Sequence, residues 1–157
     1  MDTSNKLDYI LQHITSLLTR DTDQVLLEQL GIGYAQYKLL RVLFDEVPKK
    51  QRFIANSLGQ TEASISRQID ILIDKQLVTK TTDPNNKRVR LVLITSKGKN
   101  IVSATHTVMN RYHTSLLSDF PEKQQLELLK RLDYLHDSIC KHGHDSESDY
   151  VDYLTNN

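Results

Sequence analysis

TEASISRQIDILIDKQLVTKTTDPNNKRVRLVLIT, residues 61–95, changes its periodicity midway, and that change decides the fold. In the first half Ile65, Ile69, Leu72 and Ile73 recur at spacings of three and four, which places them on one helical face. Ser64, Ser66, Arg67 and Gln68 are left for the other face: short hydrogen-bonding side chains and one guanidinium. Leu77 to Thr82 is rich in β-formers. Asp83-Pro84-Asn85-Asn86 is a cluster of turn residues. Arg88 to Ile94 runs back with alternation at its start. A polar-faced helix followed by a basic-tipped hairpin is the layout of a winged helix. Such a helix suits a major groove, and such a tip can reach the neighbouring backbone or minor groove.

Upstream, a short helix over residues 51–58 presents Phe53, Ile54 and Leu58 inward and ends at Gly59. Thr61 is the expected N-cap of the next helix. Residues 52–76 therefore read as a helix-turn-helix. Before it, Tyr34 to Phe44 is expected to be helical, with Tyr37, Leu40, Val42, Leu43 and Phe44 available for a core and Pro48 as its stop. The first helix carries Leu7, Ile10, Leu11, Ile14, Leu17 and Leu18 on one side, with Thr3 or Ser4 as cap. Asp21-Thr22-Asp23 reads as an interruption before Val25 to Leu30. Thr95 opens a long helix striped by Ile101, Val102, Thr105, Val108, Met109, Tyr112 and Leu116. Pro121 marks the start of a last helix, striped by Leu126, Leu129, Leu132, Leu135 and Ile139. Stripes outside so small a core call for a second subunit. The expected architecture is mainly α. Residues 1–30 and 99–144 are dimerisation helices, 31–98 is a winged helix-turn-helix lobe with a hairpin wing, and 145–157 is an acidic tail. A short helix is expected around Tyr150, Val151, Tyr153 and Leu154.

Net charge is zero, yet its distribution is uneven. Residues 75–100 carry a net +6, from Lys75, Lys80, Lys87, Arg88, Arg90, Lys97 and Lys99 against Asp83, whereas residues 141–157 carry −3. The basic charge gathers on the wing and its flanks, an electrostatic footprint for a polyanion. Apolar content of 38% and charged content of 25% are those of a globular protein. No apolar run approaches a membrane span and no secretory core opens the chain, so a cytoplasmic location is expected. A single cysteine, Cys140, gives no intrachain disulfide.

In order and spacing, these segments resemble the multiple-antibiotic-resistance regulator (MarR) family of winged-helix repressors, from about residue 30 to 101. Gly31-Ile-Gly-Tyr-Ala-Gln36 is similar to that family's Gly-Leu-Thr-x-x-Gln. Ile54-Ala55, Leu58-Gly59 and Thr61 fall on its Leu-Ala-x-x-Leu-Gly-x-Thr, and Ser64-Ile-Ser-Arg67 on its Thr-Val-Thr-Arg. Asp70 and Leu72 follow its Asp-x-Leu. Asp83 to Arg88 resembles its wing sequence Asp-Pro-x-Asp-Arg-Arg, and Leu93 to Gly98 its closing Leu-Thr-x-x-Gly. Three positions depart: Gln76 for a glycine, Gly33 for a capping threonine, and Asn86 for the aspartate that braces the wing arginine. The resemblance implies a homodimeric DNA-binding regulator without cofactor, acting on a near-palindromic operator and often released by a small-molecule or redox inducer.

Thr61, Ser64, Ser66, Arg67, Gln68, Lys87, Arg88 and Arg90 are the expected DNA-binding residues. Arginine brings a planar fork of donors suited to guanine edges and phosphates; the bland alternative for Arg67 is a surface charge beside Asp70 or Glu62. Tyr34, Tyr37 and Tyr112 are candidates for a ligand cleft, or for ordinary interface packing. His136, Cys140, His142 and His144 could make a zinc site, against a helix terminus that simply favours histidine. No nucleophile motif, phosphate loop or paired-carboxylate pattern supports an enzyme. The alternative functions are a metal-responsive regulator and a winged-helix protein–protein module without DNA binding.

Overall fold

A computed structural model of the chain describes residues 2–140, apart from the side chains of Arg88 and Cys140. The element order is α1 (Thr3–Leu30), α2 (Tyr34–Val42), β1 (Lys49–Lys50), α3 (Gln51–Ser57), α4 (Glu62–Asp74), β2 (Val78–Asp83), β3 (Asn86–Ile94), α5 (Ser96–Leu116) and α6 (Glu122–Cys140). The three strands form an antiparallel sheet in the order β1-β3-β2. The chain divides into two compact units, Met1–Tyr112 and His113–Asn157.

In the first unit Leu26, Ile32, Leu39, Leu40, Leu43, Ile54, Ile65, Ile69, Leu72, Leu77, Val78 and Val92 are buried in one core, joined by Val102 of α5. The helices α1 to α5 and both strands of the hairpin thus contribute to the same apolar cluster. In the second unit the Gln125 side chain closes the turn before α6 by donating to the carbonyls of Phe120 (2.6 Å) and Leu117 (3.3 Å).

The structure corrects several expectations. α1 is one helix of 28 residues with no break at Asp21-Thr22-Asp23. Those polar residues find partners instead: Asp21 lies 3.3 Å from Arg20, Thr22 is buried, and Asp23 reaches α2. Asp2, rather than Thr3 or Ser4, caps α1, accepting from the Thr3 N–H at 2.7 Å. α2 ends at Val42, well short of Pro48, and Phe44 is 47% exposed instead of filling the core. Phe53 of α3 faces outward, 52% exposed, with the Lys49 ammonium 5.2 Å above its ring; Ala55 takes the inward place. Nothing in the residue pattern points to β1, where two lysines pair with Val92 and Leu91 along the edge of β3.

Candidate nucleic-acid interface

α4 begins where Thr61 Oγ1 accepts the Ser64 N–H at 3.2 Å, with Glu62 in its first turn complementing the helix dipole. Its inner face is Ile65, Ile69 and Leu72, all buried. At 3.6 residues per turn, the side opposite carries Ala63, Arg67, Asp70, Ile71 and Asp74, all exposed. Ser66 lies half-buried on one flank and Ser64 and Gln68 on the other. That second flank turns toward the protein: the Ser64 hydroxyl donates to Gln60 Oε1 at 3.1 Å, and Gln68 Oε1 is buried. Of the polar residues singled out from sequence on α4, Arg67 alone stands at the centre of the exposed face. Ala63 and Ile71, one turn to either side of it, escape a reading that weighs polarity above helical phase. The phase of Ile65, Ile69 and Leu72 contains them.

The wing is the β2–β3 hairpin. At its base Val78 pairs with Ile94; farther out Thr82 pairs with Arg90, and the register shifts between Thr82 and Asp83. The Asp83 carboxylate accepts the Asn85 N–H at 2.9 Å, which folds the tip. Arg90 is held by its register partner, donating Nη1–H to the Thr82 hydroxyl. Lys87 is exposed at the tip. The Arg88 side chain lies outside the described part. Lys80 of β2 reaches Asp70 of α4 at 2.6 Å, which ties the wing to the exposed helix face and offsets one carboxylate there.

The rear of α4 is fixed by backbone chemistry. α3 and α4 end in the same motif. Gln60 N–H donates to the Ala55 carbonyl and Gly59 N–H to that of Asn56; Leu77 N–H donates to Leu72 and Gln76 N–H to Ile73. Both motifs need a left-handed residue. Gly59 takes φ 59°, and Gln76 takes φ 62° with a side chain attached. Gln76→Gly is therefore expected to raise stability by about 1 kcal/mol, read as a higher denaturant midpoint at unchanged slope. Lys75 Nζ then donates to the Gly31 carbonyl at the end of α1, and Lys97 Nζ to the Lys75 carbonyl at 2.9 Å.

At the start of α2, Gly33 has no side chain with which to cap, and Asp23 of α1 supplies the missing oxygen. Its Oδ1 accepts the Tyr34 N–H at 2.7 Å. A β-carbon on Gly33 would sit 2.8 Å from that oxygen. The absence of a capping threonine at 33 and the carboxylate at 23 are one device. Asp23→Ala is expected to cost about 1 kcal/mol, checked by thermal unfolding.

Two of the three candidate cleft tyrosines are in ring contact. Tyr34 and Tyr37 stack at 6.2 Å, and Tyr37 meets His106 edge-on at 6.5 Å. Tyr112 lies farther along α5, where burial, and to a smaller degree the charge of Asp21, push its phenol above the usual tyrosine value. His136 sits on α6 with Nδ1 3.6 Å from Asp137 Oδ1. The Cys140 side chain, His142, His144 and the 145–157 tail lie outside the described residues.

A short helix, a capped second helix with an exposed arginine and a two-stranded basic wing define a winged helix-turn-helix protein. The MarR family model matches residues 32–89. It is 28% identical over 137 residues to the HTH-type transcriptional regulator YxaD of Bacillus subtilis strain 168, covering 84% of this chain and 96% of that one. Among solved structures it is similar to MepR, a transcription regulator of the Staphylococcus aureus multidrug efflux pump MepA. The TM-score is 0.71 at 23% identity, over 84% of this chain and 97% of that one. An S. aureus MepR–DNA complex matches with a TM-score of 0.66 at 23% identity, over 83% and 96%.

Proposed function

We propose that the protein is a homodimeric, sequence-specific DNA-binding transcriptional regulator, a repressor whose release answers a small-molecule or redox signal. The observation that carries this reading is Arg67, exposed at the centre of a capped helix whose other face is locked into the core, beside a wing bearing exposed Lys87 and Arg90. The MepR–DNA complex supports it through the shared fold.

Two copies are needed for an operator of two half-sites. Exposed apolar residues supply the means: Leu7, Ile10, Ile14 and Leu18 on α1, and Leu126, Leu129, Leu132 and Ile139 on α6. Sedimentation at micromolar concentration is expected to show a dimer and no stable monomer. Two recognition helices about 34–36 Å apart then require a near-palindromic site. The stacked Tyr34–Tyr37 pair with His106 is the place we propose for an aromatic inducer.

The test is affinity for genomic fragments retained by the protein and for random duplex, each across a salt series. Strong preference for retained fragments, with log affinity falling linearly with log salt, supports the reading. Equal affinity for both overturns it.

A further inference from the structure

Ile71 is a large apolar side chain, 39% exposed, on the face of α4 that points away from the core. One turn back stands Arg67 and one turn further back Ala63, both exposed, so a ridge of methyl, guanidinium and branched alkyl groups runs along the helix at spacings of four. The neighbouring Asp70 carboxylate is drawn to Lys80 at 2.6 Å, which lowers the negative charge beside the ridge.

B-DNA presents one apolar group in its major groove, the C5-methyl of thymine, and presents guanine O6 and N7 as a paired acceptor for arginine. Four helical residues rise about 6 Å, roughly two base-pair steps of 3.4 Å. We propose that this ridge reads a guanine with a thymine about two steps away on each side. Arg67 takes the guanine, and Ile71 and Ala63 pack on thymine methyls about two steps to either side. The charge of Arg67 and of the wing favours DNA over an apolar protein partner as the occupant of this face. The inference rests on the DNA-binding function proposed above and adds the bases read.

The experiment enriches random duplex on the full-length protein and then replaces each thymine of the recovered site by deoxyuracil, which removes the methyl alone. One methyl is worth about fourfold in affinity. Two thymines per half-site, flanking one guanine, are expected to show that loss. Ile71→Ala is expected to weaken the native site similarly and to become indifferent to uracil at one of the two positions while still responding at the other. The uracil scan on the unaltered protein needs no variant to fold. Uracil without effect at every position overturns the inference while leaving sequence-specific binding standing. An Ile71→Ala protein as sensitive to uracil as the unaltered one also overturns it. Failure to enrich any duplex overturns both this inference and the function it rests on.

Discussion

Gly98→Ala is expected to lower stability by about 3 kcal/mol. A β-carbon built on Gly98 would stand 2.2 Å from the Leu77 carbonyl oxygen and 2.7 Å from Ile94 Cγ1. The carbonyl is not free to yield. It accepts from the Thr95 N–H at 3.0 Å and from the Thr95 hydroxyl at 3.1 Å, while the Leu77 N–H is bound to Leu72. The first turn of α5, the root of the wing and the end of α4 would have to separate together. Alanine's better helix propensity, about 1 kcal/mol, offsets only part of this. Denaturant unfolding of the variant should show a lower midpoint at unchanged slope. An unchanged midpoint would mean that α5 can lift off the sheet at no cost.

Arg67→Ala is expected to cost about 1–3 kcal/mol of operator affinity, and to do so selectively. An arginine paired to a guanine edge carries sequence information, so its loss should bring operator and random-DNA affinities together. Lys87 at the wing tip should behave differently, because a phosphate contact is blind to sequence. Lys87→Ala should weaken all duplexes about equally and flatten the salt dependence by about one unit for each phosphate no longer neutralised. Titrations of both variants against operator and random duplex over a salt series separate the two roles. Identical behaviour of the two variants would remove the distinction drawn between helix and wing.

Much of this arrangement is legible in the residues. The cap at Thr61, the glycine stop at Gly59 and the buried triplet Ile65, Ile69 and Leu72 are local signals, and local geometry obeys them. What escapes reading depends on partners distant in the chain. Asp21-Thr22-Asp23 reads as a break because polar triplets often end helices. α1 continues because Asp23 finds the Tyr34 N–H eleven residues on. Phe44 and Phe53 read as core because periodicity reports that a side is apolar, and not whether anything covers it. Lys49-Lys50 carries no strand signal; β1 exists because β3 offers it an edge. The glycine-to-glutamine departure at 76 leaves the turn intact, since the flanking backbone bonds hold the left-handed geometry that a glycine would adopt freely. On α4 the chemical type of Ser64 and Gln68 suggests the groove, and only their phase against the core shows them turned to the flank.

α1 is about 42 Å long, yet the residues it buries, Thr22 and Leu26, lie near its C-terminal end. Its other fastenings to the lobe, the Asp23 carboxylate on α2 and the Gly31 carbonyl held by Lys75, lie at that same end. The helix is therefore a lever with its fulcrum at the winged lobe, and its long arm carries the exposed Leu7, Ile10, Ile14 and Leu18. A tilt of about 5° about that end moves the far tip by roughly 4 Å, as an arm of about 42 Å requires. Run in reverse, a modest push on the arm arrives at the fulcrum with mechanical advantage, and the load it meets there is Lys75, the residue that caps the end of α4.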